Sequence, residues 1–505
     1  MSAPRVLFLS SEVVPYSKSG GLADVAGALP DALAQTGCDM TVVTPLYRPR
    51  IPEQCQTNVR EGEDVTVRAD GKDYPVTFHS PVQSKGNAGV VFADCEPLFA
   101  RAGLYGEATG KGGYADYPDN DVRFSVFARA VLAWASQETQ RYDVIHANDW
   151  QTALVCPYLP TLFADDPAFA ETRTLLTIHN LAYQGVFPGT RFGVLGLDPG
   201  LFAPLSPFEF YKQVDFLKAG IHYASKINTV SPTYAAEIQS DPDLGCGLDG
   251  LLRDRSADVS GILNGIDTTV WNPAVDSLLP HRYDADTVVA GKKINKETLL
   301  RRARIPSERW DRPLVGMISR LDAQKGFDLI EEAASDLMAM ELNLIVLGTG
   351  AKAYHDLLTT LGARYGDRVG AFLTFDNELA HLIEAGSDIF LMPSRYEPCG
   401  LNQMYSLSYG TVPVVRATGG LADTVSDADG DPRGGNGFAF VPYTAAALLD
   451  TLRRALAAFD DPKRWRTIQA RGMKADFSWE RSAHRYKELY ESALTVDAPA
   501  GIHHH

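Results

Sequence analysis

Short apolar runs rich in β-forming residues alternate with helix-length segments along almost the whole chain, and that rhythm leaves few folds open. In the first half the runs are residues 5–10, 40–44, 76–79, 89–93, 143–146, 174–179 and 226–230. In the second they are 314–319, 343–348, 370–374, 388–392, 412–415 and 437–441. Continuous apolar runs suit strands covered on both faces, and the lengths between them suit crossover helices. An α/β fold with mainly parallel, buried sheets follows. The rhythm breaks at residues 261–273, GILNGIDTTVWNP, and then starts again as a self-sufficient series. The chain therefore reads as two doubly wound domains, residues 1–260 and 261–477. A last helix, residues 478–495, has Ser478 as N-cap and gathers Trp479, Ala483, Tyr486, Tyr490 and Ala493 on one face that has to be buried. Residues 496–505 are a tail, and its three terminal histidines are a tag remnant with no bearing on metal binding.

Composition narrows the function. With 505 residues the chain can build two full cores. Its 47 Lys and Arg against 63 Asp and Glu give a net charge of −16, which argues against a nucleic-acid partner. The six cysteines are scattered with no C-x-x-C pair, so neither a disulfide framework nor a thiolate zinc site is expected, and a reducing cytoplasm fits. No apolar run approaches the ~18 residues of a membrane span. The run at residues 6–9 is too short for a signal-peptide core.

Five residues recur at matching places: Gly20-Gly-Leu-Ala-Asp24 and Gly419-Gly-Leu-Ala-Asp423, each opening a helix after a strand. Free N–H groups at a helix start favour an anion, and Lys18 adds a cation beside the first copy. Neither a Walker A loop nor Gly-x-Gly-x-x-Gly is present, and the plainer alternative is a pair of good strand-to-helix turns. Arg320 and Lys325 follow the strand at residues 314–319, at a carboxyl edge where α/β sheets hold ligands. Two such cations suit a diphosphate, most of all one that is leaving and gaining charge. The alternative is a solvated loop with Asp322 neutralising Arg320. Glu397 lies in a Pro-flanked turn after the strand at residues 388–392, placed to orient sugar hydroxyls or to pair with Arg395. His179, Asn180, Asp149 and Trp150 cluster at the ends of two strands, with Tyr114 and Tyr183 in nearby loops, a set suited to sugar recognition. The Gly-rich segment 104–120 reads as a loop that orders on sugar binding. No His/Asp/Glu grouping has metalloenzyme spacing, and there is no Gly-x-Ser-x-Gly elbow.

Seven motifs in order carry a resemblance: KSGGLADV (18–25), HANDW (146–150), TIHNLAYQG (177–185), NGID (264–267), SRLDAQKG (319–326), PSRYEPCGL (393–401) and TGGLADTV (418–425). Together they closely resemble the bacterial glycogen synthase family, the ADP-glucose-dependent relatives of plant starch synthases. The resemblance implies GT-B architecture: two Rossmann-like domains facing across a deep cleft, with the C-terminal helix crossing back to complete the N-terminal domain. It implies retaining transfer of glucose from ADP-glucose to the non-reducing end of an α-1,4-glucan, with no metal ion or other cofactor.

Carried over residue by residue, Lys18, Gly20 and Gly21 would touch the distal phosphate and glucose. Arg320 and Lys325 would hold the diphosphate with the turn at Thr418, Gly419 and Gly420. Asp24, Asn180 and Asn264 would line the donor pocket, and His179 would bond the glucose 6-hydroxyl. Glu397, with Cys399, Gly400 and Leu401, would orient the glucose. Gly348 and Gly350 would border the nucleoside. Tyr114, Asp149 and Trp150 would face the acceptor. Three departures stand out. Ser19 replaces the usual threonine, and Phe375 takes the place of an adenine-stacking tyrosine. Tyr405, eight positions after Glu397, stands where wider retaining relatives carry a second glutamate. The rival expectations are the same transfer from UDP-glucose, a pyridoxal-phosphate phosphorylase of related fold (for which no lysine motif is present), and a silent glucan-binding protein.

Overall fold

The computed structural model describes residues 3–52, 57–81, 86–109 and 113–495, with the side chains of 57–63, 108–109 and 113–114 left out. The chain divides into two compact units. The first comprises Met1–Val230, Ala235–Gly265 and Trp479–His505, and the second Ser231–Tyr234 and Ile266–Ser478.

The second unit is built on a sheet in the order Val369–Phe372, Asn343–Leu347, Leu314–Ile318, Ile389–Met392, Val412–Arg416 and Phe438–Phe440, parallel throughout. Numbered along the chain, this is the doubly wound order 3-2-1-4-5-6. Its strands are covered on both faces, which is why Leu344, Ile345 and Val346 are all apolar and fully buried.

The first unit repeats that plan and extends it. From the strand Gly89–Asp94 the sheet runs through Asp39–Pro45, Arg5–Leu9, Val144–Asn148, Arg173–Ile178 and Lys226–Thr229 to Val259–Gly261, all parallel. Beyond Gly89–Asp94 two antiparallel strands, Lys72–Pro81 and Thr57–Ala69, prolong the edge. A three-stranded antiparallel sheet (Val186–Pro188, Gln213–Asp215, Glu209–Phe210) and a hairpin (Gly106–Thr109 with Gly113–Asp116) are separate pieces. That hairpin falls inside the segment 104–120 read from sequence as a loop.

The last helix, Trp479–Thr495, packs on helix Gly21–Gln35 of the first unit. Trp479, Ala483, Tyr486, Tyr490 and Ala493 are buried, the face expected from their spacing. Two of them also answer buried polar groups of the sheet. Tyr490 OH bonds His146 Nδ1 at 2.8 Å, and Asn228 Nδ2 donates to Tyr486 OH at 2.9 Å. Each fully buried ring contributes about 2–3 kcal/mol of transfer free energy. Among the described residues no helix is long and apolar enough to cross a membrane.

Each large sheet has a switch point, where chain connections leave in opposite directions. In the first unit it lies between Arg5–Leu9 and Val144–Asn148; in the second, between Leu314–Ile318 and Ile389–Met392. The carboxyl ends of these strands carry most of the residues singled out above.

Candidate active site

In the second unit, strand Leu314–Ile318 hands over to Ser319 and Arg320, and then to a tight turn, Ala323–Lys325. Asp322 caps that turn by accepting from the Lys325 N–H at 3.1 Å. Gly326 follows at φ 81°, and a Cβ there would lie 2.2 Å from the Pro393 carbonyl. Only glycine lets the Lys325 turn press so close to the segment after strand Ile389–Met392. The result is contact between the two strand ends: Lys325 Nζ donates to Glu397 Oε2 at 2.6 Å, and Ser394 Oγ donates to the same oxygen at 3.0 Å. Glu397 is buried, and the pair borders a cavity of about 130 Å³ with Ser319, Ser394, Gly400 and Leu401 in its wall. Arg395 is engaged elsewhere, with Asp328 at 2.7 Å and over the Tyr443 ring. Arg320 is 59% exposed and lies 3.5 Å from Asp322.

The glycine turn at 419–420 packs against this segment. A Cβ on Gly419 would stand 2.0 Å from the Glu397 carbonyl, and one on Gly420 2.0 Å from that of Cys399. The Gly420 N–H is donated to the carbonyls of Glu397 and Pro398, at 3.1 and 3.2 Å. This turn therefore buttresses the Glu397 backbone, and the Gly420 donor is already spent. Gly350 bridges to Leu321, which brings the loop after strand Asn343–Leu347 alongside Arg320. Phe375 stands 83% exposed. Tyr405 is buried, its ring stacked on Trp271 at 3.9 Å, with His381 on the other face of Trp271 at 3.8 Å. Thr418 is also buried.

In the first unit, Asp149 follows strand Val144–Asn148 at φ 57° and ψ −178°, an extended positive-φ conformation that costs about 1–3 kcal/mol for a residue with a side chain. Its Oδ1 accepts the His179 N–H at 2.7 Å, and the Asn180 N–H also bonds the carboxylate. Burial pushes this carboxyl up to about 7 against those donors, with the Glu12 charge adding to the rise. His179 Nε2 meets Asn148 Oδ1 at 2.9 Å, while Asn148 Nδ2 donates to the Leu9 carbonyl. The amide orientation makes Nε2 the donor and leaves Nδ1 as the ring's acceptor. Burial lowers the imidazole to about 3, so it is neutral at working pH.

Asn264 is buried and its Oδ1 makes no hydrogen bond. Trp150 is buried against Phe124, Phe187 and Phe216, so its ring belongs to the packing and offers no open face to a sugar. The side chain of Tyr114 lies outside the described residues. Lys18 Nζ pairs with Asp24 Oδ1 at 2.7 Å, both partly exposed. One participant has no motif signal at all. Glu12 is buried and takes the N–H groups of Ser19 and Gly20 and the Ser19 hydroxyl.

Comparisons with known proteins place this arrangement. Residues 5–254 match the model of the starch synthase catalytic domain, and residues 281–471 match that of glycosyl transferases group 1. A glycogen synthase of Koribacter versatilis is 46% identical over 99% of this chain and 100% of its own length. One of Anaeromyxobacter sp. is 48% identical over 97% of the chain and 99% of its own length. The chain belongs to the glycogen synthase family.

Among solved structures, the catalytic domain of starch synthase IV from Arabidopsis thaliana, bound to ADP and acarbose, superposes with a TM-score of 0.88 at 33% identity. It covers 98% of this chain and 100% of that one. A sucrose-phosphate synthase from Thermosynechococcus elongatus shares the fold, with a TM-score of 0.60 at 19% identity over 98% of this chain and 100% of its own.

Glycogen synthase chemistry gives the Asp149 geometry a pH signature. The ionised carboxylate is the form that best accepts both backbone N–H groups, so activity rises as pH rises through about 7. In Asp149→Asn that limb is absent from the pH–rate profile. An unchanged limb would assign the ionisation to another group.

Proposed function

We propose that this chain transfers glucose from ADP-glucose to the non-reducing end of an α-1,4-glucan, with retention at the anomeric carbon and release of ADP. The observation that carries the reading is the part-buried Lys325–Glu397 pair at the switch point of the second unit, a cation and a carboxylate on adjacent strand ends. Kinship supports the substrate class: the related plant structure holds ADP and acarbose.

In this reading Arg320 and Lys325 take the diphosphate, with Thr418, Gly419 and Gly420 shaping the wall beside it. Gly348 and Gly350 border the nucleoside, and exposed Phe375 offers its face to the base. Lys325 leaves Glu397 to meet the diphosphate, and the released carboxylate orients the glucose hydroxyls together with the Cys399–Leu401 backbone. His179, neutral and with Nδ1 as the ring's acceptor, accepts a hydrogen bond from the glucose 6-hydroxyl. Lys18, Gly20, Gly21, Asp24, Asn180 and Asn264 serve the donor sugar from the first unit. Asp149, Tyr114 and Trp150 serve the acceptor, Trp150 by holding the wall rather than by stacking. Tyr405 supports the donor side through its stack on Trp271.

The chemical step breaks the bond between C1 and the phosphate oxygen, with its electron pair passing to ADP. The cations bear that charge, which is worth most where it develops. The acceptor 4-hydroxyl attacks C1 on the face the phosphate leaves, and its proton passes to the departing phosphate oxygen. The test is glucose incorporation into glycogen with ADP-glucose and UDP-glucose in parallel, each with and without chelator. ADP-glucose is the better donor by roughly tenfold or more, the discrimination that a few base contacts supply, and chelator leaves the rate unchanged. Equal use of UDP-glucose would remove the donor assignment, and no incorporation from either donor would remove the function.

A further inference from the structure

The turn that leads into helix Gly21–Gln35 is bonded by one of the protein's own carboxylates. Glu12 reaches it from the loop that follows strand Arg5–Leu9. Its Oε2 accepts the N–H of Ser19 and, at 3.3 Å, that of Gly20; its Oε1 accepts the Ser19 hydroxyl at 3.1 Å. Glu12 is only 3% exposed. A carboxylate that deep is tolerated because donors surround it, and charge-assisted bonds of this kind are about twice as strong as neutral ones.

We propose that Glu12 is a positioning residue for glucosyl transfer: its carboxylate fixes the turn that carries Lys18 and so sets where the Lys18 cation stands, without touching substrate itself. The inference rests on the role of Lys18 proposed above. Lys18 is the residue immediately before Ser19, so two of the three bonds that Glu12 accepts fall on its neighbour. On the far side, Lys18 Nζ is held by Asp24 from the first turn of the same helix. The turn is thus clamped at its backbone by one carboxylate and at its tip by another. Ser11, next to Glu12, bonds Tyr105 OH at 2.7 Å, which ties the approach to hairpin Gly106–Thr109 to the same loop. The glycine pair at 419–420 has a different holder, the Glu397 and Pro398 carbonyls. The two copies of the five-residue motif therefore share a sequence and a helix start but differ in backbone, with Gly20 at φ −151° and Gly419 at φ 45°, and in what they pack against.

A double-mutant cycle tests this. Glu12→Gln keeps the shape, removes the charge and turns an NH₂ group towards the donors. Alone it lowers kcat on the order of 10- to 100-fold, the cost of a misplaced catalytic group, while the KM for ADP-glucose moves little. In a Lys18→Ala background the same change costs no more than about threefold, because the group it positions is gone. Ser19→Ala, which deletes only the 3.1 Å bond, gives a smaller loss that also vanishes in that background. It serves as the probe if Glu12→Gln does not fold. Losses that multiply in the double variants would overturn the proposal and make Glu12 a stability residue. Near-native turnover by Lys18→Ala alone would instead remove the role of Lys18, and the proposal with it.

Discussion

Lys325→Ala lowers turnover on the order of 100- to 1,000-fold, the range seen when one donor to a developing negative charge is removed. The variant also loses stability. Lys325 Nζ sits 2.6 Å from a carboxylate whose side chain is 7% exposed, and deletion leaves that charge with Ser394 as its remaining side-chain donor. Breaking a mostly buried pair in this way costs about 3 kcal/mol. The two effects separate by temperature: thermal unfolding reports the second, and single-turnover rates well below the melting point report the first. Lys325→Arg keeps the charge but changes its shape, so it recovers most of the stability and only part of the rate. Near-native turnover in folded Lys325→Ala would remove this residue from the site.

Glu397→Ala has the opposite signature in binding. Turnover falls on the order of 100-fold or more, because the glucose loses the group that orients it. ADP, however, binds as well as before or more tightly. In the free protein Lys325 spends its charge on Glu397, and an arriving diphosphate has to compete for it. Removing the carboxylate removes the competitor. Calorimetry with ADP decides the matter: joint loss of binding and turnover would give Glu397 a structural role. Glu397→Gln keeps the Ser394 contact and falls between the two, with transfer impaired and the fold intact.

Both predictions depend on a pairing across 72 positions of chain, which no local pattern contains. The sequence pointed to Lys325 and Glu397 separately, each at a strand's carboxyl end. It offered Arg395 as a partner for Glu397 because the two are close in the chain. In the fold Arg395 turns to Asp328, and the glycine at 326 admits Lys325 instead. Trp150 is a similar case. An aromatic residue beside a sugar motif reads as a platform, but this ring is packed inside, and burial is a property of neighbours.

What was readable from the chain alone is what short-range physics encodes. Apolar runs of strand length between helical stretches define parallel buried sheets, and the face of Trp479–Thr495 follows from its spacing. The antiparallel strand Thr57–Ala69 escaped notice because its residues alternate, with Val65, Val67 and Ala69 buried and those between them exposed, so it contains no continuous apolar run. Glu12 escaped because a glutamate before a helix looks like any surface acid. Its value comes from donors brought over it by the return of the chain, and from the water excluded when they meet. Strand identity lies in neighbouring residues. Which charges face each other, and in how little water, arises only once distant segments are packed together.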